Sequence, residues 1–399
     1  MTTGSATKIS SITDRIDGSF DARQVFDVLE DVLLQEQDFH RLFDAKLMRT
    51  RHELGLPITQ PTSLDNIPSE HQGRFREAYV EAAREVGRLL LDNDQLTDAW
   101  AYFRTIGEPE PVRAEIDKVS IPQDPDEAFD EVMNVALYEG AHMVKGLEFL
   151  LKTHGTCNSV TTLSQLQQQM TFDERRQSAA LLVRQIYDDL QHSIRSDLES
   201  RDVVVPASAS IRELMEGHDV LFAEGNYHID VSHLHSIVGF ARSLTRDDPE
   251  LEQAVELCEY GRQLSEPLQY PGNPPFEKYY EGHLQFLNAL AGRNVEEALD
   301  WFVQRMDDEE EESGKRLVAF VILDLGQRTD QEDAALSRTA SVLAKVEDPG
   351  GFSFTSLCVE QNRLDLLEET AKSGDDVIAW ATARLSATPN DSSMPTNCE

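Results

Sequence analysis

Three histidines and an aspartate stand close together in the segment NYHIDVSHLHSIVGFARSL, residues 226–244. They are His228, Asp230, His233 and His235. Imidazole and carboxylate groups are ligands that divalent transition metals such as zinc prefer. The segment therefore raises the question of a metal site, and the spacing of the four side chains decides which of them could share one ion.

The apolar residues of this segment recur with the helical period, which predicts an amphipathic helix that begins at Val231. Asp230 precedes this helix and suits the N-cap position, because its carboxylate accepts hydrogen bonds from free backbone N–H groups. Each helical residue advances about 100°, so His233 and His235 lie on opposite flanks and cannot close on one ion. We expect His235 to face solvent, while His228, Asp230 and His233 are still able to meet at the helix start.

Two interpretations of His228, Asp230 and His233 stay open. In the first, Asp230 caps the helix, and the two histidines pack or form hydrogen bonds around that terminus. In the second, the three residues bind the metal of a helical metal-dependent hydrolase. We favour the first, because an isolated motif of this kind is a frequent false positive. On that interpretation no cofactor is expected, and any catalytic residue is unknown.

A second group of reactive residue types comprises His142, His154 and Cys157. A cysteine near a histidine suggests a nucleophile with its base, but no oxyanion-hole segment is recognisable. A loop between two helices, with a hydroxyl residue of the run 159–162 capping the second helix, explains this stretch more simply. The sequence has neither a phosphate-binding loop nor a dinucleotide fingerprint, which argues against nucleotide-driven chemistry.

The 399-residue chain carries 36 basic and 73 acidic residues, a formal net charge of -37. Such a charge repels nucleic acid and anionic lipid surfaces, so neither is an expected partner. No apolar run is long enough to span a bilayer, and we expect no membrane association. Four scattered cysteines without a C-x-x-C pair and a polar N-terminal sequence predict a cytoplasmic protein with reduced thiols.

Helical periodicity runs through almost the whole sequence, with very little strand signal, and predicts an all-α fold of irregular antiparallel helical hairpins. We expect disordered ends at residues 1–20 and 387–399. Between them we predict a helical N-terminal region over 21–266 and a helical-hairpin C-terminal region over 276–386. The intervening segment EPLQYPGNPP is rich in proline and is the predicted boundary.

The segment 69–119 resembles a tetratricopeptide repeat. Gly87 is a small residue inside its first helix, Ala99 and Phe103 form the A-x-x-x-F pattern of the second helix, and Pro111 opens the next unit. The physical reason for the pattern is close packing: two small residues let the paired helices approach, and the phenylalanine fills the remaining gap. A weaker echo lies at residues 279–306.

The echo contains Ala298 and Phe302 in the same A-x-x-x-F spacing. The resemblance implies an α-solenoid of helical hairpins, which in this family usually binds peptides or partner proteins on its concave face. Arg84 and Arg88 stand four residues apart on the first helix of the better unit and could meet an acidic peptide there. Alternatively, they pair with Glu81 or Glu85 on a solvent-exposed surface. Our leading hypothesis is a non-enzymatic protein–protein interaction or scaffold module with a protein or peptide partner; oligomeric state is left open.

Overall fold

The computed structural model describes Arg15 and residues 21–65, 67–346 and 351–387. The segments predicted to be disordered, 1–20 and 387–399, lie outside these residues except for Arg15 and Ala387. Within the described ranges every regular element is helical and no β-strand occurs, so the predicted all-α class is confirmed.

Eighteen α-helices make up this part of the chain. They are α1 (Ala22–Gln35), α2 (Phe39–Glu53), α3 (Ser69–Leu91), α4 (Leu96–Ile106), α5 (Glu110–Ile116), α6 (Glu127–Met133), α7 (Met143–Leu166), α8 (Phe172–Ser200), α9 (Ile211–Met215), α10 (Val231–Phe240), α11 (Glu250–Gln263), α12 (Tyr279–Leu290), α13 (Val295–Asp308), α14 (Glu312–Arg328), α15 (Glu332–Leu343), α16 (Phe354–Glu360), α17 (Leu364–Gly374) and α18 (Val377–Ser386). None of them has both the length and the apolar content needed to cross a membrane.

The chain forms two compact units, residues 1–159 and residues 160–399. The division falls four residues after Gly155, whose backbone angles (φ 80°, ψ 178°) interrupt helical geometry inside α7. The proline-rich segment 267–275, which we predicted as a domain boundary, lies inside the second unit.

Unit 1 is built from helices that pack against the next helix along the chain, first α1 with α2, then α2 with α3, then α3 with α4. The pair α3 and α4 contains the tetratricopeptide-like residues. A methyl group added at Gly87 would lie 2.7 Å from the Phe103 ring, so the glycine lets this ring enter the helix–helix contact. Ala99 and Phe103 are fully buried there, and Pro111 stands in the first turn of α5.

In unit 2 the long helix α8 packs against α9, α10 and α11, and the chain then continues through paired helices from α11 to α15. Glycines again mark close approaches: a methyl at Gly261 would meet the Tyr280 ring at 2.3 Å, and one at Gly326 would meet Ala335 Cβ at 2.3 Å. The last two described helices, α17 and α18, form a further pair. Small residues therefore set the spacing of helices in both units.

Candidate functional site

Asp230 is the N-cap of α10, as its position before Val231 predicted. Its carboxylate accepts hydrogen bonds from the backbone N–H groups of Ser232 at 2.8 Å and His233 at 3.2 Å, and from the Ser232 hydroxyl at 2.6 Å. The hydrogen bond from the Ser232 hydroxyl, more than those from the backbone, lowers the pKa of Asp230 below its ordinary value. The carboxylate is thus engaged in holding the helix start.

His228 is clamped between two other helices. Its Nε2 lies 3.1 Å from the Asp197 carboxylate on α8, its Nδ1 lies 3.2 Å from the Tyr260 hydroxyl on α11, and its backbone N–H donates to that hydroxyl at 2.8 Å. Burial alone raises the pKa of Asp197, but hydrogen bonds from Arg201 and His228 lower it below the ordinary value. Only 5% of the His228 side chain is exposed. Both ring nitrogens therefore serve a buried hydrogen-bond network.

The described residues contain no group of three or more His, Cys, Asp or Glu side chains arranged to hold a metal ion. His228 is directed at Asp197 and Tyr260, whereas Asp230 is directed at the first turn of α10. The structure thus places His228, Asp230 and His233 near one helix end without gathering their donor atoms. What the three residues do share is the helix start itself, which Asp230 caps and His228 ties to α8 and α11.

His235 does not face solvent, and here the expectation was wrong. Its ring stacks on the ring of Tyr279, with centroids 3.6 Å apart and planes 17° apart, and its Nε2 is fully buried with no hydrogen-bond partner. Burial lowers the pKa of the His235 imidazole. The position of His235 around the axis of α10 follows from helical periodicity. The ring that covers it belongs to Tyr279 of α12, 44 residues later in the chain, and periodicity within α10 cannot predict that contact.

His283 adds one hydrogen-bonding contact and one ring stack beside the pair of His235 and Tyr279. His283 lies one turn after Tyr279 on α12, and its Nδ1 is 2.8 Å from the Tyr279 carbonyl. The His283 ring also stacks on Phe276, with centroids 4.2 Å apart. Burial, aided by the nearby Arg242 guanidinium, lowers the pKa of His283 to about 3. At neutral pH His283 is therefore an uncharged core residue.

Arg242 completes this aromatic cluster, which we define as His235, Arg242, Phe276, Tyr279 and His283. Its guanidinium carbon lies 4.8 Å from the Phe276 centroid, a distance typical of a cation–π contact. Sequence reasoning did not identify the cluster, although the four-residue spacing of Tyr279 and His283 places both on one face of α12. That spacing could have indicated a shared contact surface on α12, but it does not indicate which helix this surface contacts.

The two arginines predicted to meet a peptide are placed differently. Arg84 donates two hydrogen bonds to Glu108, at 2.9 and 2.6 Å, and lies 3.7 Å from Glu81. Arg88 is exposed on the same helix, and its charge helps to lower the pKa of Glu108. The predicted pairing with Glu81 is thus present for Arg84, while its closer partner, Glu108, was not predicted. The peptide-binding role of both arginines stays a prediction.

His142 and His154, two members of the predicted Cys/His group, contact different partners. His142 Nε2 lies 3.2 Å from an Asp117 carboxylate oxygen, and His154 Nδ1 lies 2.7 Å from the Thr153 hydroxyl. Cys157 is exposed. Residues after Gly155 continue in helical conformation, so the predicted loop is reduced to the break at that glycine.

A different feature sets α18 apart from the other helices: its large apolar side chains face outward. The exposed fractions are 68% for Val377, 73% for Ile378 and 72% for Leu385. Since helical residues advance about 100°, Val377, Ala381 and Leu385 form one row at four-residue spacing, and Ile378 stands beside it. We call these four residues the α18 apolar surface.

The inward side of α18 consists of small residues. Ala379 and Ala383 are buried, with 7% and 2% of their surface exposed. A helix at the edge of a globular protein ordinarily turns its large apolar residues inward and its polar residues outward. In α18 this order is reversed for the large apolar residues Val377, Ile378 and Leu385.

Charge around the α18 apolar surface is uneven. Asp375 and Asp376 precede the helix, and both are exposed. The Asp376 carboxylate accepts hydrogen bonds from the N–H groups of Ile378 and Ala379 at 3.0 Å each. Arg384, on the flank of the helix, lies 2.9 Å from Glu368 on α17. The surface is therefore apolar with an acidic end.

Comparison of the chain with protein-family models, with curated proteins and with solved structures finds no match in any of the three.

Proposed function

We propose that the protein is a cytoplasmic, non-enzymatic interaction module built from tetratricopeptide-like helical hairpins, and that the α18 apolar surface binds a partner protein. The single observation that carries the proposal is the outward direction of Val377, Ile378 and Leu385. Within the described part of the chain these three large apolar side chains stay exposed to water, although covering each of them would contribute about 1.5–3 kcal/mol. A partner that covers them supplies the missing contact.

Tetratricopeptide-like packing supports the same proposal. Gly87 and Phe103 make the close helix contact that the repeat pattern requires, and Ala298 and Phe302 of the weaker echo are buried in the same way. In helical-repeat proteins an end helix that faces water carries a polar outer side. The outer side of α18 is apolar instead, which is typical of a helix that is covered by another helix.

The proposed occupant is an amphipathic helix of a different protein, with Lys or Arg residues along the edge of its apolar stripe. A helix fits because the α18 apolar surface is itself a row at helical spacing. Basic edges fit because the surface ends at Asp375 and Asp376 in a chain of net charge -37. A second copy of the chain would bring like charges together and is disfavoured for that reason.

Site-specific photo-crosslinking tests the proposal. The photoreactive residue p-benzoylphenylalanine replaces Ile378 in one variant and the exposed polar Gln304 of α13 in a control variant, and both are irradiated in the native cell. We expect a crosslink from position 378 that is absent from position 304. The crosslinked segment should be an amphipathic helix with basic edges.

Binding of that purified segment then gives the quantitative test. Replacing Ile378 and Leu385 by Gln should weaken binding at least about tenfold, because both side chains would lie under the partner helix. The control Gln304→Glu should bind unchanged, and binding should weaken as salt concentration rises. Crosslinks only to a second copy, equal crosslinks at position 304, no crosslink, or full affinity in the double variant would each overturn the proposal.

A further inference from the structure

Arg242 has no carboxylate within 4 Å in the described part of the chain, although the protein has 73 acidic residues, and among the described arginines that lack an ion pair it is the one with a fully enclosed, unpartnered nitrogen, Nε. Other arginines of this unit do form ion pairs, among them Arg176, Arg184, Arg212, Arg293, Arg328, Arg338 and Arg363. We propose that Arg242 holds an oxyanion, a carboxylate or a phosphate, at the edge of the aromatic cluster.

Burial makes the missing partner costly. The Arg242 Nε is fully enclosed and has no hydrogen-bond partner, and burial lowers the pKa of the guanidinium. Removing a cation from water without a close counter-charge is unfavourable. An anion bound from solution would offset that cost beyond the attraction that Asp324 already supplies.

The guanidinium is also oriented for such an anion. The guanidinium lies over the Phe276 ring, and the Tyr279 and His283 rings of the same cluster lie with their centroids 4.2 Å apart. Its two terminal nitrogens make no hydrogen bond within the described protein and, unlike Nε, are not enclosed. A guanidinium with both terminal nitrogens free presents the planar fork that binds carboxylate or phosphate through two parallel hydrogen bonds.

Neighbouring groups fix the segment that carries Arg242. Arg328 donates hydrogen bonds to the carbonyl oxygens of Arg242, at 2.6 Å, and of Leu244. Arg246 follows four residues after Arg242, and its guanidinium lies against Gly292. Arg328 is itself paired with Asp324, so the further positive charge carried by the turn 241–246 is that of Arg246, which adds to the attraction for an anion.

Anion titration of the intact protein tests the site. Inorganic phosphate and acetate are added in separate series at constant ionic strength, with chloride as the compensating anion, and binding is followed by calorimetry and by chemical shifts of α10 and α12 amides. We expect saturable binding of at least one of the two anions, and the tighter arm identifies the ligand as phosphate or carboxylate. Saturation in neither series would overturn the proposal.

Two variants assign the effect to Arg242. Arg242→Met keeps the length of the side chain and removes the charge, and we expect anion binding to weaken at least about tenfold. The matched control is Arg305→Met, because Arg305 also lies 4.8 Å from an aromatic centroid, that of Trp301, and we expect wild-type binding. Unchanged binding in Arg242→Met, or an equal loss in Arg305→Met, would overturn the assignment.

Stability provides a second measurement. In anion-free buffer Arg242→Met should unfold at the same or a higher denaturant concentration than wild type, since it removes an unpaired buried charge. A purely structural arginine would instead lose stability. If Arg242→Met does not fold, Arg242→Lys retains the charge without the fork and should still weaken binding; wild-type binding in that variant would count against the site.

Discussion

The hydroxyl of Tyr279 donates a hydrogen bond of 2.6 Å to the backbone carbonyl of His235, and the rings of the same two residues stack 3.6 Å apart. One residue of α12 thus binds α10 through both its ring and its hydroxyl. The contact needs space on α10, and Gly239 supplies it: an added methyl there would meet a single neighbouring atom, the Tyr279 hydroxyl oxygen, at 2.7 Å.

A double-mutant cycle tests this relationship. Tyr279→Phe should lower the free energy of unfolding by about 1 kcal/mol, because it removes one buried hydrogen bond and keeps the stack. Gly239→Ala should cost about 1–3 kcal/mol in the wild-type background, because the methyl collides with the hydroxyl. With the hydroxyl removed, the same alanine should be nearly neutral, since alanine favours the helix over glycine.

The cycle is measured by urea unfolding of the four proteins. A coupling energy of about 1 kcal/mol or more between the two substitutions is expected. Additive effects would show that Gly239 and Tyr279 do not share this contact.

His283 should make stability depend on pH. The folded pKa, about 3, lies below the ordinary value of 6.5, so the unfolded chain takes up a proton as pH falls below 6.5 while the folded chain keeps His283 neutral. The free energy of unfolding should therefore fall by up to about 1.4 kcal/mol per pH unit for this proton as pH decreases from 6.5 towards 3.

The contribution is isolated with His283→Phe, which retains an aromatic ring against Phe276. Unfolding is measured between pH 7 and pH 5, where the carboxylates of ordinary pKa remain ionised. Wild type should lose more stability over this range than the variant does. Burial also lowers the pKa of His235, which acts in the same direction in both proteins and so cancels in their difference. Parallel curves for the two proteins would contradict the buried neutral state of His283.

Gly87 provides a test of the close contact between α3 and α4 in unit 1. Gly87→Ala should lower the free energy of unfolding by about 1–3 kcal/mol, because the methyl would stand 2.7 Å from the Phe103 ring. The matched control is Gly73→Ala in the same helix, where an added methyl meets nothing within 4 Å. That substitution should stabilise by about 0.5–1 kcal/mol. Equal effects at the two glycines would rule out a special packing role for Gly87.

A substitution at His228 distinguishes a structural role of this residue from a metal-binding role. His228→Ala should cost about 1–3 kcal/mol, because it removes partners of the Asp197 carboxylate and the Tyr260 hydroxyl inside the protein. Added zinc should leave the unfolding midpoint of wild type unchanged, since both ring nitrogens are already engaged. A zinc-dependent rise in wild type that the variant lacks would instead favour the metal hypothesis.

Local sequence pattern was sufficient for the all-α class and for the start of α10, but not for α7, which continues past Gly155 where a loop was predicted. Asp230 could be assigned as the N-cap because capping depends on residues two and three positions away. The close contact at Gly87 could likewise be predicted, because α3 and α4 follow each other directly in the chain. Small residues at the facing positions of two such helices let the helices approach closely.

The sequence by itself therefore determined the all-α class, the capped start of α10 and the small-residue contact between α3 and α4, all of which depend on short-range pattern. Only the tertiary structure decided that Tyr279 covers His235, that Arg242 lies over Phe276 without a carboxylate, and that α18 turns Ile378 outward. The physical reason is common to the three. Periodicity indicates which residues share a face of a helix, but only the packing of distant segments determines what that face meets.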